Sequence, residues 1–224
     1  TQLSGRITAG QNDQGWQLRA QLSNPQSGPW DRQRLPLATL DAQAGFDGSH
    51  LTLPQASAQA GDGRITLQGR YTPGTQTLAG EAEVQGLRPN ALDSRLDSQA
   101  VQGRIRAEQA ADAAVRFHID LRGESTAARN TNALRVDQLQ AQGRWQAPVL
   151  QLEQLQVRAL QAEAQGQQLR IDTAARAFDG RLQLSVPGAS AQVQGQLAPE
   201  AGAGTLLLQL SEAQRLHDWL AALP

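Results

Sequence analysis

The chain has 224 residues, and only 4% of them are aromatic. All 20 basic residues are arginine; with 21 acidic residues they give a net charge of -1, which argues against a broad nucleic-acid-binding surface. The lack of cysteine excludes disulfides and thiolate metal sites, and no apolar run reaches the roughly 20 residues of a bilayer-spanning helix.

Apolar and polar residues alternate along most of the chain. The alternation is clear in residues 3–9, 16–22, 65–71, 115–121, 182–186 and 206–210. A period of two places successive side chains on opposite faces of a β-sheet, so one face is predicted to be apolar and the other to carry Gln, Arg, Thr and Asp. Turn residues at 12–15, Asp47-Gly48 and Thr72-Pro73-Gly74 separate the segments. Neighbouring strands are therefore predicted to pair antiparallel in one continuous sheet over residues 1–210.

The alternation changes phase at two points. Leu150 and Leu152 have one parity, whereas Leu155 and Val157 have the other. A strand keeps its side chains on one face through such a change only if it contains an extra residue. We therefore predict a β-bulge or a bend near Glu153-Gln154 and, for the same reason, near Asp137-Gln138.

Two segments depart from the strand pattern. Residues 89–96 are predicted to form a loop or a short helical turn. In the final segment, 211–224, the apolar residues from Leu216 to Leu223 recur at helical spacing, which predicts a helix over about 212–222 with Ser211 as its N-cap. This helix is expected to cover the open end of the sheet. The alternative is a mobile plug or an element that contacts lipid.

The apolar positions of the predicted strands are expected to point to one common interior. They are Leu18, Leu22, Phe46, Leu51, Leu53, Ile65, Leu67, Tyr71, Ile105, Val115, Phe117, Ile119, Leu121, Trp145, Leu150, Leu152, Leu182, Leu184, Leu206 and Leu208. Such a surface is either an open groove for apolar ligands or a dry core on which the sheet closes.

The sequence contains few of the residue arrangements that are typical of enzyme active sites. His50, His118 and His217 lie far apart in the sequence, and nothing places a nucleophile beside a base. No phosphate-binding glycine loop is present. We therefore predict a protein that is not an enzyme and that has no metal site and no cofactor.

Several stretches resemble the TamB family of AsmA-like bridge proteins. They are residues 28–42, which include Leu35-Pro36-Leu37, residues 46–53, residues 58–71 with their Gly-x-Gly-x-x-x-x-x-Gly pattern, and residues 91–96. The resemblance is clear over about the first 105 residues. It implies an internal fragment of a longer periplasmic chain that is anchored in the inner membrane.

The resemblance also implies an architecture and a role. The family is expected to form an elongated, curled antiparallel sheet, shaped like a taco, whose apolar groove binds phospholipid acyl chains and conducts them towards the outer membrane. It further implies an outer-membrane barrel partner, similar to TamA, that contacts other parts of such a chain. Two alternatives remain: a scaffold that binds outer-membrane protein clients through an exposed sheet edge, and a spacer without a ligand.

Overall fold

The computed structural model describes residues 2–13, 15–95, 99–109, 112–124, 136–199 and 202–223. These residues form 14 strands in one sheet, and the strand order in the sheet is the order in the chain. Every neighbouring pair is antiparallel. The predicted all-β class, the antiparallel pairing and the short C-terminal helix are confirmed, and the sheet is open with at most a weak curl.

Short connections join most of the strands, as the turn residues predict. The strands are β1 (Ser4–Asn12), β2 (Gly15–Ser23), β3 (Thr39–Phe46), β4 (Leu51–Ala60), β5 (Gly63–Thr72), β6 (Thr77–Leu87), β7 (Val101–Gln109), β8 (Val115–Gly123), β9 (Val136–Gln146), β10 (Val149–Ala159), β11 (Ala162–Asp172), β12 (Ala177–Val186), β13 (Ala189–Leu197) and β14 (Ala203–Leu210). One helix follows, α1 (Ala213–Ala221). Gln14 of the first predicted turn, Leu96 at the end of the predicted break, and Pro224 lie outside the described residues.

Both predicted β-bulges are present. In β10 the pairing with β9 shifts between Leu152 and Gln154, which keeps Leu152 and Leu155 on one face. Towards the start of β9, Arg158 and Ala159 of β10 pair with Gln138 and Val136, so Asp137 is the extra residue. A bulge adds one unpaired residue to a strand, so the apolar side chains before and after it lie on the same face of the sheet although their parity in the sequence differs.

A small hydrophobic cluster lies at one end of the central strands. Ala60, Val84, Leu87 and Val101 are its buried members, from β4, β6 and β7. Leu92 packs against this cluster from a 3₁₀ turn, Pro89–Ala91, that interrupts the strand pattern as predicted. Among the described residues, no large side chain is fully buried. The sheet is therefore held mainly by its ladders and by this local cluster.

The longest described connection, residues 24–38, is held by a buried amide. The Asn24 side chain is only 4% exposed; its Nδ2 donates to the carbonyl oxygens of Leu35 (3.3 Å) and Leu37 (3.0 Å), and its Oδ1 accepts from the Gln26 N–H. A buried amide without these partners would be costly, so the three bonds fix the loop's path.

This loop and the β6–β7 connection bind one another. The Trp30 N–H donates to the Leu92 carbonyl oxygen (2.8 Å), and the Asp31 carboxylate accepts bonds from the Ser94 N–H (2.8 Å) and the Ser94 hydroxyl. These bonds lower the pKa of Asp31 from its usual value. Connections that are far apart in sequence thus meet beside the hydrophobic cluster.

The helix α1 folds back along the strand ends. The N–H groups of Ser211 and Glu212 donate to the Gly188 carbonyl oxygen in the β12–β13 turn (2.9 and 3.0 Å). The N-cap residue of α1 is Glu212 and not the predicted Ser211, and its side chain makes no capping hydrogen bond. Further along, the Trp219 indole N–H donates to the Leu160 carbonyl oxygen in the β10–β11 turn (2.6 Å). The helix covers turns at the ends of these strands and leaves the outer edge of β14 open.

Candidate functional site

The pairing register places all of the predicted groove residues on one face of the sheet, which we call the apolar face. For example, Leu22 pairs with Leu40, and on the far side of the sheet Leu184 pairs with Ala191, which in turn pairs with Leu208. Directly paired residues share a face, so the rows continue from strand to strand. No register-paired position of this face in the described strands carries Arg, Asp or Glu.

The apolar face also contains residues that the sequence prediction did not include. They include Ile7, Leu40, Val84, Leu139, Leu155, Val157, Leu169, Val193 and Leu210. Most of them have the parity of a neighbour that was predicted. Leu169 is different, because a register shift next to Gln168, whose backbone φ is 52°, brings it onto this face. The signal that could have revealed the shift is the change of parity from Ala164 and Gly166 to Leu169 and Ile171.

The apolar face is open to solvent. The whole molecule exposes 14702 Å², whereas a compact protein of this mass exposes about 10,000 Å². Ile7 near one edge is 62% exposed, and Leu208 at the other is 69% exposed, while central residues such as Phe117 are half-buried. The alternative in which the face closes on itself as a dry core is therefore contradicted.

A row of small residues crosses the centre of the apolar face. Gly69, Gly80 and Ala107 pair in succession, followed by Phe117 and then Gly143. The half-buried Phe117 is the large side chain of this row between β5 and β9. An extended apolar ligand that crosses β5–β9 in this row would meet few side chains before it contacts this ring.

In the paired positions of the described strands, the charged side chains lie on the opposite, polar face, where most carboxylates have partners. Glu81 accepts from Arg106 (3.3 Å), and this contact lowers the pKa of Glu81. Glu163 accepts bonds from Gln165 and Gln156 (both 2.9 Å) and from Arg158 (3.2 Å). These three bonds lower the pKa of Glu163 to about 2.

The polar face has a regular composition and a concave centre. An unbroken row of amides crosses β9–β13 in register: Gln140, Gln156, Gln165, Gln183 and Gln192. A concavity of about 810 Å³ crosses β4–β10. Its lining combines polar-face residues such as Gln68, Glu81 and His118 with apolar-face residues such as Leu53 and Phe117, so its surface is mixed in polarity.

The three histidines are not brought together. His118 lies on the polar face of β8, His217 lies on α1, and His50 Nδ1 is 3.4 Å from Asp47 Oδ2 in the β3–β4 turn. Within the described residues, no group of three or more His, Asp or Glu could hold a metal ion. In that same part of the chain, no helix is long and apolar enough to cross a bilayer. No protein-family profile, curated protein or solved structure matches the chain.

Proposed function

We propose that this chain is a segment of a periplasmic bridge, anchored in the inner membrane, whose apolar face carries phospholipid acyl chains between the two membranes of a Gram-negative bacterium. In this proposal the segment conducts phospholipid and supports outer-membrane assembly, without enzyme activity. An outer-membrane barrel protein similar to TamA is the proposed partner of the longer chain. The observation that carries the proposal is an uncharged apolar face that continues across 14 strands and stays exposed.

The chemistry of the face suits an acyl chain. Each methylene group that leaves water for such a surface contributes roughly 0.8 kcal/mol. A carboxylate or guanidinium in the path would cost several kcal/mol, and the paired rows contain neither. Aliphatic contacts of similar strength from strand to strand allow a chain to slide, because no single position holds it.

Photo-crosslinking tests this proposal directly. A benzophenone amino acid is placed at Leu67, Phe117 or Leu184 on the apolar face, and at Gln68 on the polar face as the matched control. The protein is incubated with phospholipid vesicles, irradiated and analysed by mass spectrometry. We expect phospholipid adducts at the three apolar positions and not at Gln68. Equal labelling on both faces, or labelling on neither, would contradict the proposal.

A second candidate function, binding of outer-membrane protein clients as added strands, is supported by the free edges of the sheet. β1 and β14 each pair on one side only. The β1 edge is the more suitable one for a polar client strand, because it carries Arg6 and hydroxyl or amide residues such as Thr8 and Gln11. Binding of a hairpin peptide that is blocked by proline at Thr8 would support this candidate.

A further inference from the structure

The edge strand β14 lacks the features that normally keep a sheet edge from pairing. Natural edge strands are protected by charged residues, proline, bulges or a covering element. β14 has the sequence Ala-Gly-Thr-Leu-Leu-Leu-Gln-Leu, with neither charge nor proline. Its pairing with β13 has no register shift, and all of its residues are exposed. α1 does not cover it, because the helix turns back towards the β10–β11 turn.

One residue of β14 has the wrong polarity for its face. Leu207 pairs with Gln192, so its side chain extends the row of glutamines on the polar face. It is 59% exposed. A large aliphatic residue at the end of an amide row gains stability only if a further strand covers it.

We propose that β14 pairs antiparallel with β14 of a second copy of this chain, around a two-fold axis that passes beside Leu207. In this register the two Leu207 side chains lie directly opposite one another, and each covers the other. Leu206 then lies opposite Leu208 of the partner subunit, and Thr205 opposite its Gln209. The interface is isologous, which is the commonest symmetry of soluble dimers.

The second copy is the occupant that this edge fits best. A strand paired with itself needs a centre without charge, since like charges directly opposite are destabilising, and β14 contains no charged residue. A two-fold axis perpendicular to the sheet keeps the two apolar faces on the same side. Leu206 and Leu208 of the two copies therefore join both faces into one. This inference does not depend on lipid binding and can fail or hold separately from it.

Cysteine crosslinking tests the register, because the natural chain has no cysteine. Leu207→Cys is expected to form a disulfide-linked dimer under mild oxidation, since directly opposed residues of antiparallel strands have Cβ atoms about 4.5–5.5 Å apart. Ile7→Cys is the matched control on the other edge, where the side chain is equally exposed. Crosslinking at Leu207 and not at Ile7 supports the proposal. Crosslinking at Ile7 alone, or equally at both, overturns it.

Sedimentation equilibrium on the unmodified chain and two lysine variants tests the energetics. The natural chain is expected to dimerise reversibly, and Leu207→Lys to weaken the dimer by roughly tenfold or more, because two ammonium groups would then face one another. Gln183→Lys, in the same row but inside the sheet, should leave the dimer unchanged. A natural chain that stays monomeric, a Leu207→Lys variant that dimerises normally, or native mass spectra in which β14 holds a client peptide instead of a second copy would overturn the proposal. The cysteine test remains decisive if the lysine variant fails to fold.

Discussion

Replacing Phe117 by aspartate is the sharpest test of the apolar face. The ring stands between Ala107 and Gly143 in its cross-strand row, so neither of its directly paired neighbours is large enough to replace its contacts. Phe117→Asp removes an aromatic contact and places a carboxylate where an acyl chain would cross. His118→Asp is the matched control, because His118 is the next residue of the same strand and lies exposed on the polar face opposite Arg106.

The size of the effect follows from the exposure of the site. A charge at the centre of a fully apolar medium costs about 2.5–3.5 kcal/mol on insertion scales. The face is open to water, so we expect a smaller cost than this, about 1.4–2.8 kcal/mol, which corresponds to roughly 10–100-fold weaker phospholipid binding. The free energy of unfolding should fall by about 2–3 kcal/mol, somewhat less than for a fully buried ring, because the Phe117 side chain is only partly buried.

Calorimetric titration with a short-chain phospholipid that remains monomeric measures the binding constant for the natural chain and both variants. Circular dichroism and urea unfolding establish that each variant is folded at the assay temperature. We expect Phe117→Asp to lose affinity and His118→Asp to retain it. If folded Phe117→Asp binds phospholipid as tightly as the natural chain, then the apolar face is not the binding surface.

Three further predictions concern the stability of the sheet. Leu87→Ala should lower the free energy of unfolding by about 2–4 kcal/mol, because Leu87 is 7% exposed within the hydrophobic cluster; Leu208→Ala should change it by less than about 0.5 kcal/mol, and equal effects in urea unfolding would disprove the assigned packing. The folded-state pKa of Glu163 lies below its unfolded value, so its stabilisation is present above about pH 4.5 and is lost as the pH falls towards 2; Glu163→Gln should therefore flatten the pH dependence of the urea midpoint over this interval, and parallel curves would refute this. Trp219→Phe keeps the aromatic packing but loses the indole hydrogen bond, which should cost about 1 kcal/mol and increase hydrogen exchange in α1; unchanged exchange would show that the bond does not hold the helix.

The sequence predicts the sheet well because its main determinant is local. Alternation identifies strands without knowledge of their partners, and short turns such as Asp47-Gly48 force neighbouring strands to pair. The bulges near Glu153 and Asp137 are also local, since each is visible as a change of parity within one strand. The continuous apolar face then follows from parity alone.

The features that the sequence does not predict depend on residues far apart in the chain. The hydrogen bonds between Asp31 and Ser94 join two connections whose residues are 63 positions apart in the sequence. No local sequence pattern predicts that these two residues meet. The path of α1 depends on the Leu160 carbonyl group, in a turn where Leu160 and Gln161 both adopt positive φ without a glycine. Glycine or asparagine is the usual signal for that geometry, so the turn is not evident from the sequence.

The order of the strands has a consequence for how the molecule comes apart. Each strand is bonded only to the strands before and after it in the chain, so the sheet behaves as a one-dimensional zipper in which cooperativity passes from neighbour to neighbour. The two ends of this zipper are not equivalent. At the carboxyl end, α1 ties the β10–β11 and β12–β13 turns together, whereas β1 is an exposed edge strand that lies beyond the buried cluster and pairs only with β2. We therefore expect opening to start at β1, to advance inwards, and to be resisted at the strands that carry Ala60 and Val84.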